Sequence, residues 1–115
     1  MRKLLISPGY GAGWTSWSGG SREQIKFMLE YKSFVDYIEK YNKDNEGHYG
    51  GVCVPDNLRK EFEMDWKEKF PEASVPYMGG LDKLEVVNVH DDNLIRIKEY
   101  DGFESVVIAG DDEWY

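Results

Sequence analysis

The sequence predicts an α+β fold of order β-α-α-β-β-β, a mostly antiparallel four-stranded sheet with two helices on one face. Three observations predict it. A short apolar run stands near the start, two stretches of helical period follow, and three strand-sized runs punctuated by turn residues close the chain.

Taken in order, residues 3–7 read as a buried first strand, because Leu4-Leu5-Ile6 is strand-sized and Pro8-Gly9 stops it. Ser21 opens a helix, with Gln24 three residues later in a capping-box pattern. Phe27, Tyr31, Phe34, Ile38 and Tyr41 then recur at alternating steps of four and three, and Met28 and Val35 widen the stripe. That spacing predicts one continuous helix with a broad face on the sheet. Residues 42–51 are polar and Gly-bearing, a loop. Pro55-Asp56 begins a second helix, in which Leu58, Phe62, Trp66 and Phe70 are spaced by four and Lys and Glu fill the solvated face. Pro71 ends it. Beyond Pro76 and Gly79-Gly80 come three strands, at about residues 84–89, 94–100 and 103–108. His90-Asp91-Asp92-Asn93 turns the first pair and Asp101-Gly102 the second, a favoured two-residue hairpin because both positions tolerate positive φ.

Composition bounds the function. A chain of 115 residues with 41% apolar and 15% aromatic content is the size of one domain, residues 1–115, and can build a core. No run approaches the ~20 apolar residues of a membrane span. Only three apolar residues follow Arg2-Lys3, too few for a signal peptide, and Cys53 has no second cysteine to pair with. The expected location is therefore the cytoplasm of whatever cell expresses it. The net charge is −8, unevenly spread. Residues 1–40 hold six basic against four acidic side chains, a net of +2, which leaves −10 on the remainder. Phosphate repulsion argues against direct binding of DNA or RNA. An acidic surface suits a basic protein partner, or simply keeps a small protein in solution.

The one unusual segment is Pro8-Gly9-Tyr10-Gly11-Ala12-Gly13-Trp14-Thr15-Ser16-Trp17-Ser18-Gly19-Gly20-Ser21, uncharged and placed between the first strand and the first helix. Glycines let backbone N–H groups approach a ligand. A helix N-terminus offers free donors and a positive dipole end. Tyr10, Trp14 and Trp17 are flat surfaces on which a base stacks, each worth ~1–3 kcal/mol. Gly11, Gly13, Thr15, Ser21 and Arg22 supply donors for phosphate or ribose. Tyr100 and Asp101, at a hairpin tip, would rim such a pocket. The segment fits neither the P-loop, which needs a Lys, nor the dinucleotide fingerprint, whose third glycine is missing. A tryptophan-anchored Ω-type loop that packs over the sheet end and binds nothing is the competing reading.

Chemistry-bearing patterns are weaker elsewhere: Asp91 and Asp92 read as turn residues, with a catalytic carboxylate pair as the alternative. His48, His90 and Cys53 lack metal-ligand spacing. Ser16, Ser18 and Ser21 have no neighbouring His or Lys to activate them. No catalytic residue, metal or cofactor is expected, and the protein reads as a binder rather than an enzyme. Bulky residues on both sides of the last strands, Val86-Val87 and Val106-Val107-Ile108, point to a homo-oligomer.

The pairing of Leu4-Leu5-Ile6-Ser7-Pro8-Gly9-Tyr10-Gly11-Ala12-Gly13-Trp14 with Glu99-Tyr100-Asp101-Gly102-Phe103-Glu104-Ser105 resembles a family of small hypothetical bacteriophage proteins. The resemblance implies an accessory protein of counter-defence, placed in the host cytoplasm. Two mechanisms follow from it. In the first, a sponge sequesters a phosphorylated small molecule of the nucleotide class in the Gly/Trp loop. In the second, an acidic inhibitor of the anti-CRISPR kind covers a basic surface of a host defence protein, using acids such as Asp91-Asp92 or Asp111-Asp112-Glu113.

Overall fold

The structure, a computed structural model, describes residues 2–8, 13–18, 20–46, 51–90, 95–100 and 103–108. Its first strand divides the interior. β1 spans Arg2–Ile6, and Leu4, Leu5 and Ile6 are all buried. Successive side chains of a strand point to opposite faces, so β1 serves two apolar clusters. Leu5 joins the larger, with Trp14, Phe34, Ile38, Phe62 and Trp66. Leu4 joins the smaller, with Ile25, Leu29, Val89 and Ile95.

A one-turn helix, α1 (Thr15–Ser18), follows β1, and three longer helices come next: α2 (Arg22–Leu29), α3 (Lys32–Asp44) and α4 (Asp56–Lys69). The capping box at the start of α2 forms as the sequence predicts. Gln24 N–H donates to Ser21 Oγ at 3.1 Å, and Ser21 N–H donates to Gln24 Oε1 at 2.9 Å. Gly20, at φ 114°, brings the chain into this cap through a conformation that other residues rarely adopt. In α4, Phe62 and Trp66 are buried while Leu58 and Phe70 pack partly against the larger cluster, as their four-residue spacing requires.

The expected single helix from Ser21 to Tyr41 is broken at Glu30-Tyr31, where Tyr31 is extended (φ −62°, ψ 110°). Two long-range hydrogen bonds account for the break. The Met28 carbonyl, which an unbroken helix would offer to Lys32 N–H, accepts the Trp14 indole Nε1–H at 3.0 Å. The Tyr31 hydroxyl donates to Asp65 Oδ2 on α4. Its ring stands edge-on to Phe34 and Phe62, with centroids at 4.7 and 5.0 Å. Burial, reinforced by the bond to Asp65, holds the Tyr31 phenol above its ordinary pKa.

The class is α+β and every strand pair is antiparallel, but among the described residues the four strands form two ladders rather than one sheet. β2 (Glu85–Val89) pairs with β1, Leu4 opposite Val87 and Leu5 opposite Val86. β3 (Ile95–Tyr100) pairs with β4 (Phe103–Ile108), Tyr100 opposite Phe103. A 3₁₀ turn, Gly79–Asp82, precedes β2. The helices do not keep to one face of β1. Ile25 and Leu29 of α2 share the cluster of Leu4, whereas Met28 of α2 and the buried residues of α3 and α4 share that of Leu5. Of the two-sided apolar residues of the later strands, Val86 packs on the larger cluster and Val87 and Val106 on the smaller, while Val107 is exposed. Among the described residues no helix is long and apolar enough to cross a membrane.

Candidate functional site

The segment between β1 and α2 carries two tryptophans with opposite fates. Trp14, immediately before α1, is fully buried. Its ring lies 5.4 Å from Phe62 and 6.2 Å from Phe34, centroid to centroid, and its only polar atom is bound to Met28. The expectation that Trp14 stacks on a ligand is therefore corrected: the larger cluster holds the indole, and no face of it reaches solvent. Thr15 is buried beside it. The 3₁₀ turn presses against the same segment, and a Cβ on Gly80 would come within 2.6 Å of the Gly13 carbonyl oxygen. Only glycine allows that approach.

Backbone donors beside those expected to hold phosphate, of Ser7, Trp14 and Ser16 rather than of Gly11 and Gly13, are engaged within the chain. Glu104 of β4 is buried, and its carboxylate enters the segment from the side of the hairpin. Oε1 accepts Ser7 N–H at 2.8 Å. Oε2 accepts Trp14 N–H at 2.8 Å, Ser16 N–H at 2.9 Å and the Ser16 hydroxyl. Glu104 N–H in turn donates to the Ser7 carbonyl at 2.8 Å. Three main-chain donors and one hydroxyl thus converge on a carboxylate supplied by the protein itself.

Trp17 stands in the open. It is 43% exposed, lies in an offset stack with Tyr77 (centroids 6.0 Å apart, planes at 23°), and donates Nε1–H to Glu99 Oε1 at 3.2 Å. Tyr77 is 54% exposed. Beside the pair lies a recess of about 280 Å³, whose lining includes Trp17, Gln24, Trp66, Pro76 and Tyr77. Gln24 Oε1 is committed to the capping box, while its amide –NH₂ meets no acceptor among the described residues. Trp66 contributes ring surface only, since its Nε1 is sealed from solvent.

Of the other expected site residues, Ser21 is absorbed in the cap of α2, and Arg22 is exposed in the first turn of that helix. Tyr100 is 76% exposed, on the face of the hairpin opposite the one that carries Glu99 and Glu104. Tyr10, Gly11 and Asp101 lie outside the described residues, as do His48, Asp91-Asp92 and Asp111-Asp112-Glu113. Of the expected site residues that are described, the recess takes in Trp17, with Gln24 of α2 beside it, and leaves Gly13, Trp14, Thr15, Ser21, Arg22 and Tyr100 out of its lining.

Sequence reasoning missed Tyr77 and the roles of Gln24 and Glu104, the latter expected at most among the acids of the hairpin tip that would rim a pocket. Glu104 had a signal, because it shares a strand face with Val106 and sits directly across the hairpin from Glu99, and a buried carboxylate there demands hydrogen-bond partners. Tyr77, between Pro76 and Met78 in an irregular link, had none.

A larger groove, of about 470 Å³, runs between α2, α3 and α4. Its three lysines, 26, 32 and 69, are matched by Glu23, Glu30 and Asp65. Lys69 already lies 5.5 Å from the Phe27 ring centroid. Among the described residues no three His, Cys, Asp or Glu side chains assemble a metal site. Comparison with protein-family models, curated proteins and solved structures returns no match to this chain.

Proposed function

We propose that the protein is a non-catalytic binding module that holds a flat, base-like group of a nucleotide-class small molecule in the recess beside α1. One observation carries the reading: two large aromatic rings, Trp17 and Tyr77, stay about half exposed and stacked together at the rim of a recess. Such surface is costly to leave in water without a use. A base added to the stack contributes ~1–3 kcal/mol. The Gln24 amide supplies a donor to a ring nitrogen or carbonyl. Arg22, exposed in the first turn of α2, would meet a phosphate only if the ligand extends round the start of the helix. A chain of net charge −8 opposes polyphosphates at long range, so the base and not the phosphates supplies most of the affinity. Under the resemblance to small phage proteins, such a module would act in counter-defence by sequestering a nucleotide signal without turning it over.

The test is a thermal-shift and tryptophan-fluorescence screen of nucleosides and nucleotides against the intact protein. A bound ligand raises the melting temperature by mass action and quenches Trp17. Mass spectrometry of the released compound should return it unchanged. No response across the whole panel would refute the reading, and a chemically altered product would refute its non-catalytic part.

A further inference from the structure

We propose that Ser7, Trp14 and Ser16 form a receptor for a carboxylate, filled in the intact chain by Glu104, and that it takes up a free monocarboxylate when that side chain is shortened. The donors come from two separate stretches, one directly after β1 and one at the chain reversal before Trp17. All four are aimed at two oxygens, within 2.9 Å for the main-chain N–H groups. Among the described residues no Lys or Arg pairs with the carboxylate, so the recognition is by oriented N–H and O–H dipoles. Main-chain donors of this kind bind anions strongly because they are already in place and need no ordering.

The shape of the site selects the anion. Glu104 is 1% exposed, so its carboxylate is enclosed on every side. A planar group with two oxygens fits the donor set, one donor on one oxygen and three on the other. The third and fourth oxygens of phosphate or sulfate would have to displace buried neighbours at a cost without compensating bonds. Ser16, which provides two of the four donors, is itself exposed, so solvent lies one side chain away from the receptor. The segment that sequence alone reads as a phosphate loop is thus an oxyanion site of a different selectivity, used to fasten the β3–β4 hairpin to the N-terminal part of the chain.

Glu104→Ala tests this directly, because it removes a fragment the size of acetate. Thermal unfolding of the variant is followed at constant ionic strength in acetate, formate, phosphate or chloride. The expected result is a lowered melting temperature that climbs with the logarithm of acetate or formate concentration, by about 5 °C at the highest concentrations, while phosphate and chloride leave it unchanged. The intact protein and Glu104→Gln, whose side chain still fills the site, should show no such rise. If Glu104→Ala is unfolded in chloride, refolding by acetate has the same meaning. Equal behaviour in acetate and chloride, failure to fold in both, an equal rise in the intact protein or in Glu104→Gln, or a phosphate effect matching that of acetate would overturn the proposal.

Discussion

Trp14 and Trp17 stand three residues apart in one uncharged segment, yet the first is a pillar of the core and the second faces water. In the sealed region, both N–H groups of Trp14 are matched: the indole N–H to Met28, and the main-chain N–H to Glu104. In the open region around Trp17, a ring rests on another half-exposed ring, and its N–H reaches only an exposed carboxylate. Identical residue chemistry therefore serves stability in one place and offers contact surface in the other. What separates them is whether the rest of the chain converges on the side chain.

The sharpest way to break this comparison is Trp14→Ala. Removing a fully buried indole between Phe34 and Phe62 empties the middle of the larger cluster and leaves the Met28 carbonyl without its donor. The expected loss is ~3–5 kcal/mol, a large share of the ~5–15 kcal/mol that keeps a domain of this size folded. Urea denaturation should show a midpoint near zero or no cooperative transition. A nearly unchanged midpoint would mean that Trp14 is not the core residue described here.

Glu104→Gln comes next. The amide keeps the volume but presents –NH₂ to donors that need an acceptor, so at least one buried N–H is left unmatched. The expected loss is ~2–3 kcal/mol. It should fall first on the attachment of the hairpin, with amide exchange of residues 95–100 and 103–108 accelerating more than that of α3 or α4. Uniform acceleration would instead mean that the hairpin and the helical body open as one unit.

How much of this was legible in the sequence divides along the same line. The α4 ladder of Leu58, Phe62, Trp66 and Phe70 and the Ser21–Gln24 cap could be read off because both depend on spacing within one helix. The pairing of Tyr100 with Phe103 was implied by a two-residue turn. The break at Glu30-Tyr31 was not legible. No glycine or proline marks it, and the aromatic period runs straight through. It arises from bonds to Trp14 and Asp65, which lie 14 and 34 residues away from their partners. The division of the sheet into two ladders was hidden for a related reason, since alternating strands say which faces are apolar but not which neighbour each strand meets. In the Gly/Trp segment, composition pointed to main-chain donors at Gly11 and Gly13 and could not reveal that a glutamate some ninety residues on would take those of Ser7 and Trp14.

The Tyr31 hydroxyl gives a smaller effect with a pH signature. Its phenol is held above the ordinary value near 10. The neutral form is thus favoured in the folded state, and the unfolded chain gives up its proton first as pH rises. The contribution is fully present below pH ~10 and is lost progressively above it as pH climbs toward the raised value. Tyr31→Phe should lose ~1 kcal/mol at neutral pH and show a shallower decline of stability on the alkaline side. An identical alkaline slope in the two proteins would mean that Tyr31 titrates normally and that its bond to Asp65 does not hold in solution.

Trp17→Ala has the smallest expected effect on stability and the most informative one on function. The indole is 43% exposed and its N–H bond is to an exposed glutamate, so its removal takes little from the core, and the urea midpoint should shift by less than ~1 kcal/mol. Binding should respond quite differently. If the recess holds a base against the Trp17–Tyr77 stack, the loss of one ring weakens the complex by about tenfold or more, and Trp17→Phe, which keeps a smaller ring, should recover part of it. That pattern, a fold untouched and an affinity graded by ring size, sets Trp17 apart from Trp14. A Trp17→Ala protein that melts as early as the Trp14 variant would erase the difference between the two regions and reduce the recess to packing.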